Sequence, residues 1–305
     1  MTESTAERFG RLAQEPLVPT VGPGAGLGGS AHSVRSIVAH RQLLGLLVRR
    51  DIKSRYKDSA LGLLWTLINP LIQLTVYYFV MGQFLRAAQG IDDFALYIFS
   101  GLTIYVLFSE IVSGSTGSVL ANAGLVKKVY VPREVFPLAS VGTASFTFSM
   151  QVVVLLLATI VLGSPPLDID VLYFFPSVAL VLVYGTALGL LLSALNVYLR
   201  DMQYLSQILL MLAMWSSPIV YGWTMVRDTF ALMGLPSWAI EIYSSSPLTL
   251  AVLGFHKAFW IAGEPSDYPT MLLVRMAICF VVGLVLLWLC HRAFTRMQGN
   301  FAQEL

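Results

Sequence analysis

A short basic segment at 125–138, LVKKVYVPREVFPL, carries the charged groups best placed for ionic contacts with another molecule. Lys127, Lys128 and Arg133 lie between two hydrophobic runs that are each long enough to cross a bilayer. Positive charge in short loops is retained inside, so the segment is predicted to face the cytosol. Its two prolines predict a short helix or turn between breaks. Because ammonium and guanidinium groups pair with carboxylates, the segment is predicted to be a contact surface for a protein partner.

No spacing of residues in the sequence predicts a catalytic site. His32, His40, His256 and His291 fall in different predicted elements, so they do not predict a metal site. The sequence contains no Walker lysine, no GxSxG motif and no CxxC motif. We therefore expect a chain without enzymatic activity and without a cofactor or metal of its own.

Glu110 is the main ionisable residue inside a predicted membrane span. It lies about 24 Å from the outer start of that span at the helical rise, which places it near the inner interface. The neighbouring Ser109, Ser113, Ser115 and Thr116 are also polar. Two interpretations stay open: a water-accessible functional mouth, or an interfacial carboxylate that is paired structurally.

The composition predicts an all-α polytopic membrane protein. The 305 residues are 56% hydrophobic and 12% charged, with a mean hydropathy of +0.73. In soluble domains about a quarter of residues carry charge. Six predicted spans approach the ~20 residues that a bilayer core requires. They occupy 61–84, 94–113, 136–162, 171–197, 205–221 and 271–293.

The distribution of basic residues predicts that both termini are cytosolic. Of the 19 Lys and Arg residues, all but Arg86, Arg227, Lys257 and Arg275 then lie inside. Topology accounts for these basic residues, so the net charge of +2 does not indicate a nucleic-acid partner, and we expect none. The long outer loop contains 248–261, which is too short to cross a bilayer and predicts a re-entrant or interfacial helix.

The remaining segments complete the predicted domain organisation. Residues 1–33 are rich in Gly and Pro and predict a disordered cytosolic tail. Residues 34–58 predict an amphipathic helix at the membrane interface, because apolar residues share one side and basic residues cluster opposite, toward anionic membrane lipids or a protein. The transmembrane domain is predicted to occupy 59–297, and 298–305 are predicted to be a cytosolic C-terminal tail.

Aromatic residues are frequent in and beside the predicted spans. Aromatic rings stack on the apolar faces of sugars, and Tyr and Trp also donate hydrogen bonds, so an aromatic path suits a carbohydrate polymer. Their commoner role in membrane proteins is packing and anchoring at the interface. Together with Glu110, the candidates for a channel lining are Trp65, Tyr77, Tyr78, Phe79, Tyr97, Tyr105, Phe108, Phe146, Phe148, Tyr184 and Trp215.

Four stretches of the sequence resemble a known family of membrane proteins. They are RRDIKSRYKDSALGLLWTLINPL at 49–71, LFSEIVSGSTGSVLANAGLVKKVYVPREVFPLASV at 107–141, NVYLRDMQYL at 196–205, and SSPIVYG with SSPLTLAVLGFHKAF. These stretches are similar to the membrane subunit of ABC-2-type polysaccharide exporters, the Wzm, KpsM and TagG group. Within that group the sequence most resembles Wzm-type permeases of actinobacterial exporters for lipid-linked galactan, the precursor of arabinogalactan.

The resemblance implies a homodimer of six-helix subunits that works with two cytosolic Wzt-like ATPase subunits. ATP and Mg would bind those partners, and a glycan linked to a polyprenyl diphosphate would cross the plasma membrane through a channel between the two copies. Re-entrant external helices are implied at 236–263, where Ser246 departs from the family pattern before Pro247, as Ser217 does before Pro218. The implied contacts with the ATPase are Arg49, Arg50, Lys53, Arg55, Leu125, Lys127, Lys128, Tyr130, Pro132, Arg133, Arg200 and Asp201.

Two other function classes are left open. A drug or small-lipid exporter of the same ABC-2 class would share the implied contacts with an ATPase. A membrane-embedded glycosyltransferase would need an aspartate-rich nucleotide-sugar site in the cytosol, whereas Asp92 with Asp93 and Asp168 with Asp170 are predicted to be external.

Overall fold

A computed structural model describes residues 35, 37–57, 59, 61–84, 91–128 and 131–305 of the chain. These residues form helices joined by short loops, and no strand occurs among them, as the all-α prediction requires. The predicted tail at 1–33 and Tyr130 lie outside the described residues. The α-helices are α1 (Arg41–Tyr56), α2 (Trp65–Val76), α3 (Phe94–Ala121), α4 (Ala123–Lys128), α5 (Val135–Val161), α6 (Phe174–Tyr198), α7 (Met202–Ser216), α8 (Trp223–Leu232), α9 (Ser237–Ser244), α10 (Pro247–Phe259), α11 (Leu272–Met297) and α12 (Phe301–Glu304).

Four helical segments have the length and hydropathy needed to cross a bilayer. They contain α3, α5, α6 and α11, and they extend over Phe94–Ala121, Val135–Val161, Ile169–Tyr198 and Pro265–Asn300. The segment that contains α11 buries only 17% of its most apolar window, so most of that surface is available to lipid or to another chain. Four of the six predicted spans therefore satisfy the criterion of length and hydropathy.

The other two predicted spans are shorter or divided. α2 has 12 residues with Pro70 inside it, and the chain continues as a π-helix over Tyr77–Phe84. An internal proline removes a backbone donor, and π-turns interrupt the regular hydrogen bonding of an α-helix. α7 has 15 residues, fewer than the ~20 of a full crossing. The count of six spans therefore stays a prediction.

α3 is the central helix and packs against α5, α6, α7 and α10. Its 28 residues are apolar around most of the circumference, which is typical of a helix surrounded by others. Two glycines bring α6 close to α3. A Cβ on Gly189 would lie 2.7 Å from Ser115 Cβ, and one on Gly185 would lie 3.0 Å from Ile111 Cγ2. Small residues at these positions let the two backbones approach.

α10 is a short helix buried inside the bundle. Its 13 residues contact α3, α6 and the 3₁₀ turn Ile169–Tyr173. Phe255 and His256 are both 0% exposed, and the His256 ring lies 3.9 Å from the ring of Tyr97 on α3. A helix forms where the sequence predicts a short one at 248–261, while its depth in the membrane stays a prediction.

Candidate functional site

α1 docks on α5 through the apolar side that the sequence predicts. Leu47 is 4% exposed. Gly142 of α5 leaves room for Val48, since a Cβ on Gly142 would lie 2.8 Å from Val48 Cγ2. The side chains that remain exposed on the helix include Arg49, Arg50 and Lys53. α1 therefore presents cations while its apolar side is fixed to a long helix.

Replacing Gly142 with valine is expected to push α1 away from α5 and to lower the free energy of unfolding by about 1–3 kcal/mol, the usual effect of overpacking. The measurement is thermal unfolding of the purified full-length chain in detergent. Gly45→Ala on α1 is the matched control, because its Cβ would meet nothing within 4 Å. That control is expected to be neutral or slightly stabilising, since alanine favours helix. Equal melting temperatures for both variants would contradict this docking.

Arg55, near the end of α1, reaches two long helices. Its Nη1 donates to Glu110 Oε1 on α3 at 3.3 Å and to Thr147 Oγ1 on α5 at 3.4 Å. The other Glu110 oxygen, Oε2, is buried without a hydrogen-bond partner among the described residues. The structural interpretation of Glu110 requires such a pair, but the pair does not exclude a role at a channel mouth, so both interpretations stay predictions. Arg55 thus joins α1 to α3 by an ion pair and to α5 by a hydrogen bond.

The described residues of the basic segment lie at the end of α4, in the turn at 131–134 and at the start of α5. Val126 is 7% exposed and anchors α4, whereas Lys127 and Lys128 are exposed. Arg133 in the turn places its guanidinium carbon 5.6 Å from the centre of the Phe301 ring on α12. The segment therefore holds two ammonium groups in water and one guanidinium against an aromatic ring.

The C-terminal residues pack against this segment. Phe301 is 0% exposed, and its ring lies 5.6 Å from that of Phe294 and 6.1 Å from that of Tyr198. Tyr198 also donates its hydroxyl to the Met297 carbonyl at 2.7 Å. The sequence at 298–305 predicts a tail and does not indicate this contact. The available signal was an aromatic residue in an otherwise polar end of the chain.

Arg200 and Asp201 form an exposed turn between α6 and α7. Just before this turn, the Asn196 side chain donates to the Thr116 carbonyl at 3.0 Å, which fixes the end of α6 to α3. One apolar group, called here the terminal cluster, joins the ends of the long helices to α1, α4 and α12. It consists of Leu47, Val119, Val126, Val135, Phe136, Ala139, Leu190, Ala194, Val197, Phe294 and Phe301.

The predicted ATPase contacts that the structure describes lie on or beside elements of the terminal cluster. Their side chains are accessible, as a docking surface requires, although accessibility alone does not assign them a partner. The exposed residues are Arg49, Arg50, Lys53, Arg55, Leu125, Lys127, Lys128, Arg200 and Asp201. The half-buried residues are Pro132 and Arg133. The role of this set stays a prediction.

The aromatic candidates for a channel lining divide by burial. The buried rings are Tyr97, Tyr105, Phe108, Phe148 and Tyr184. The three tyrosine hydroxyls among them donate at 2.9 Å to backbone carbonyls of α7, of α11 or of the loop after α7. The half-buried rings are Tyr77 and Phe146. The exposed rings are Trp65, Tyr78, Phe79 and Trp215. Within one copy of the chain, the exposed rings are the most accessible of these candidates.

Comparison with known proteins identifies the family of this chain. The family model described as ABC-2 type transporter matches residues 42–260, which is most of the sequence. The chain belongs to the ABC-2 type transporter family. The matched region of this ABC-2 protein begins in α1, includes the basic segment, and ends just after α10.

Individual relatives of this ABC-2 protein carry names from polysaccharide export. The O-antigen export system permease protein RfbA of Myxococcus xanthus is 30% identical over 273 residues, which cover 89% of this chain and 98% of the relative. An RfbA of Klebsiella pneumoniae is 28% identical over 264 residues, covering 86% and 95%. The capsule polysaccharide export inner-membrane protein CtrC of Neisseria meningitidis is 26% identical over 165 residues, covering 52% and 60%.

Proposed function

We propose that this chain is the transmembrane permease subunit of an ATP-driven exporter that moves a lipid-linked polysaccharide from the cytosol across the plasma membrane. The observation that carries the proposal is similarity to two O-antigen export permeases over nearly their whole lengths. The resemblance in the sequence makes a galactan linked to a polyprenyl diphosphate the expected cargo. ATP chemistry would belong to a separate subunit.

The proposed assembly contains two copies of this chain and two Wzt-like ATPase subunits, which bind ATP and Mg. α2 with its π-helical continuation, and α7, would complete six spans, and α8 to α10 would form re-entrant helices on the outer side. Both termini would be cytosolic. The exposed rings of Trp65, Tyr78, Phe79 and Trp215 support a path between the copies, because they are accessible in a single chain.

The terminal cluster supports a mechanical route for the proposed transport. An ATPase that moves on closing would press on α1 and on the basic segment, whose cations are accessible. Both elements share apolar contacts with the ends of α3, α5, α6 and α11. Close-packed interiors transmit displacement instead of absorbing it. Movement of the exposed elements would therefore shift the long helices.

Depletion of the chain in its host cell is the direct test of this function. We expect lipid-linked polysaccharide to accumulate inside the cell, because synthesis continues while export stops. The measurement is the amount and length of polyprenyl-linked glycan in the membrane fraction, with re-expression of the chain as the control. Unchanged glycan, together with retention of a drug or a small lipid, would contradict the proposal in favour of the other exporter class.

The Lys128→Glu substitution is expected to weaken ATPase binding about tenfold, since it replaces an attractive charge-assisted contact of ~1–3 kcal/mol with repulsion. Lys128 is exposed, so the fold is expected to be unchanged. The measurement is co-purification of the ATPase and ATP-dependent glycan export in proteoliposomes. Arg296→Glu makes the same change of charge at another exposed position and is the matched control. Equal export by both variants would refute contact at Lys128.

A further inference from the structure

A cavity of about 100 Å³ opens where the loop between α5 and α6 meets the end of α10. The charge distribution of the sequence predicts that this end of the bundle is external. One wall carries Asp168 and Asp170, and the other carries Lys257 and the segment after α10 up to Tyr268. Carboxylates, an ammonium group and an aromatic side chain therefore border one partly open cavity.

Lys257 lies between aromatic rings instead of extending into water. Its Nζ is 4.5 Å from the centre of the Tyr173 ring, 5.7 Å from that of Tyr268, and 3.7 Å from Asp170 Oδ1. The last distance is longer than a direct hydrogen bond, so the ammonium retains donors for another oxygen. A half-buried, partly desolvated lysine with spare donors is suited to holding a polar ligand.

A second cavity of about 340 Å³ adjoins the first. Lys257, Pro265 and Tyr268 line both cavities, so these side chains stand between two neighbouring compartments. The second compartment extends to Tyr173 and to the start of α11. Two adjoining cavities with a shared wall suit consecutive units of a polymer better than a single small solute.

The loop that forms this shared wall is held in place by its own contacts. The Glu264 backbone N–H donates to Asp267 Oδ2 at 2.8 Å, which caps the short turn before Tyr268. Gly263 lets the turn close, because a Cβ there would lie 2.6 Å from the Tyr268 hydroxyl oxygen and 2.7 Å from the Trp260 ring. These contacts hold the Tyr268 side chain at the wall that the two cavities share.

The charges around the cavity decide which ligand fits. The cavity lining contains Asp168, Asp170 and one cation, Lys257, and Asp267 interacts electrostatically with Tyr268, so the local balance of charge is negative. A phosphate or a uronate would be repelled by this balance. Sugar hydroxyls can hydrogen-bond to side chains of either charge, since they donate to carboxylates and accept from an ammonium. The apolar face of a sugar also stacks on aromatic rings.

The geometry points to an outer glycan-binding groove, formed by Asp168, Asp170, Tyr173, Lys257 and Tyr268, that holds neutral sugar units of the exported chain as it leaves the transporter. This inference rests on the proposed function for its cargo. It adds a site on the outer face and a preference for neutral over acidic glycans.

Asp168 is the residue whose substitution tests ligand binding without disturbing the packing of the groove. The Lys257–Asp170 pair also ties α10 to the loop before α6, so changing either residue would disturb packing as well as binding. Asp168 is exposed, makes no side-chain cap at the start of its 3₁₀ turn, and forms no ion pair within the described ranges. Asp168→Asn therefore removes one acceptor charge and is expected to leave the fold intact.

The first experiment measures binding of soluble oligosaccharides to the full-length chain in nanodiscs by saturation-transfer NMR. The probes are a neutral galactan hexasaccharide, hexagalacturonate and inorganic diphosphate. We expect the neutral probe to bind and Asp168→Asn to weaken it by about fivefold, as loss of a charged acceptor predicts. Asp228→Asn, at an exposed position on α8, is the matched control. The proposed groove would be overturned if the neutral probe does not bind or if either anion binds more strongly. Equal affinity of the Asp168→Asn and Asp228→Asn variants for the neutral probe would also overturn it.

The second experiment identifies the source of the glycan. A photo-crosslinking amino acid replaces Ile261, an exposed residue that lines the first cavity, in cells that contain the whole exporter. Capture of glycan that requires a functional ATPase supports the inference, and capture that is equal with an inactive ATPase overturns it. Export is measured in the same cells. Normal export without capture rejects the groove alone, whereas absence of glycan export in cells that carry the unsubstituted chain and an active ATPase rejects the proposed function.

Discussion

A Phe301→Ala substitution is expected to lower the free energy of unfolding by about 3–5 kcal/mol, the usual range for removing a buried phenylalanine. The Phe301 ring is 0% exposed in the terminal cluster and packs against Phe294, Tyr198 and the Arg133 guanidinium. Its removal leaves a cavity where the C-terminal helix meets the basic segment. We therefore also expect ATP-dependent export to fall by at least tenfold, because Arg133 loses the surface that positions it.

Two variants make this prediction specific. Phe301→Leu retains most of the apolar volume and is expected to recover most of the stability. Glu304→Gln changes an exposed residue of the same short helix and is expected to have no measurable effect. Thermal unfolding in detergent and export in proteoliposomes are measured for each protein. A melting temperature of Phe301→Ala equal to that of Glu304→Gln would show that the C-terminal residues do not support the basic segment.

The accessible part of the candidate site was predictable because charge and periodicity are local properties of a sequence. Lys127 and Lys128 carry charges that are costly to bury, so their exposure follows from residue type. Leu47 lies on the apolar side of a helical pattern, so its burial follows from periodicity. The helical fold follows in the same way from composition, since a bilayer requires helices or closed barrels.

The buried part of the site was not predictable, because it depends on contacts between residues far apart in the chain. Phe301 reads as one aromatic residue in a polar terminus, and nothing nearby in sequence indicates that it meets Arg133. Tyr97 and Trp65 are both aromatic residues in apolar runs, yet the first is 3% exposed and the second 39%. Only the packing of α3 inside the bundle separates a structural ring from an accessible one.

Reversing the charge of Glu110 is expected to be the most damaging single change in the contact between α1 and the long helices. In Glu110→Arg the new guanidinium would face Arg55 across the 3.3 Å that now separates opposite charges. The side chains of Arg55 and Glu110 are 44% and 27% exposed, so water screens part of the repulsion. The expected loss of stability is therefore about 1–2 kcal/mol. The loss of export is expected to be larger, at least tenfold, because repulsion would separate α1 from α3 and α5.

The double variant Arg55→Glu with Glu110→Arg tests whether this effect comes from the pair itself. The exchange restores opposite charges at the same two positions. Export and melting temperature of the double variant are therefore expected to be higher than the summed effects of the two single substitutions predict. Asp228→Arg, which breaks an exposed pair with Arg227 on α8, is the matched control and is expected to change stability by less than about 0.5 kcal/mol. A double variant as inactive as its worse parent would show that Arg55 and Glu110 act separately. Recovery would instead show that this ion pair fixes α1 to α3 and α5, the two helices on which the proposed mechanism depends.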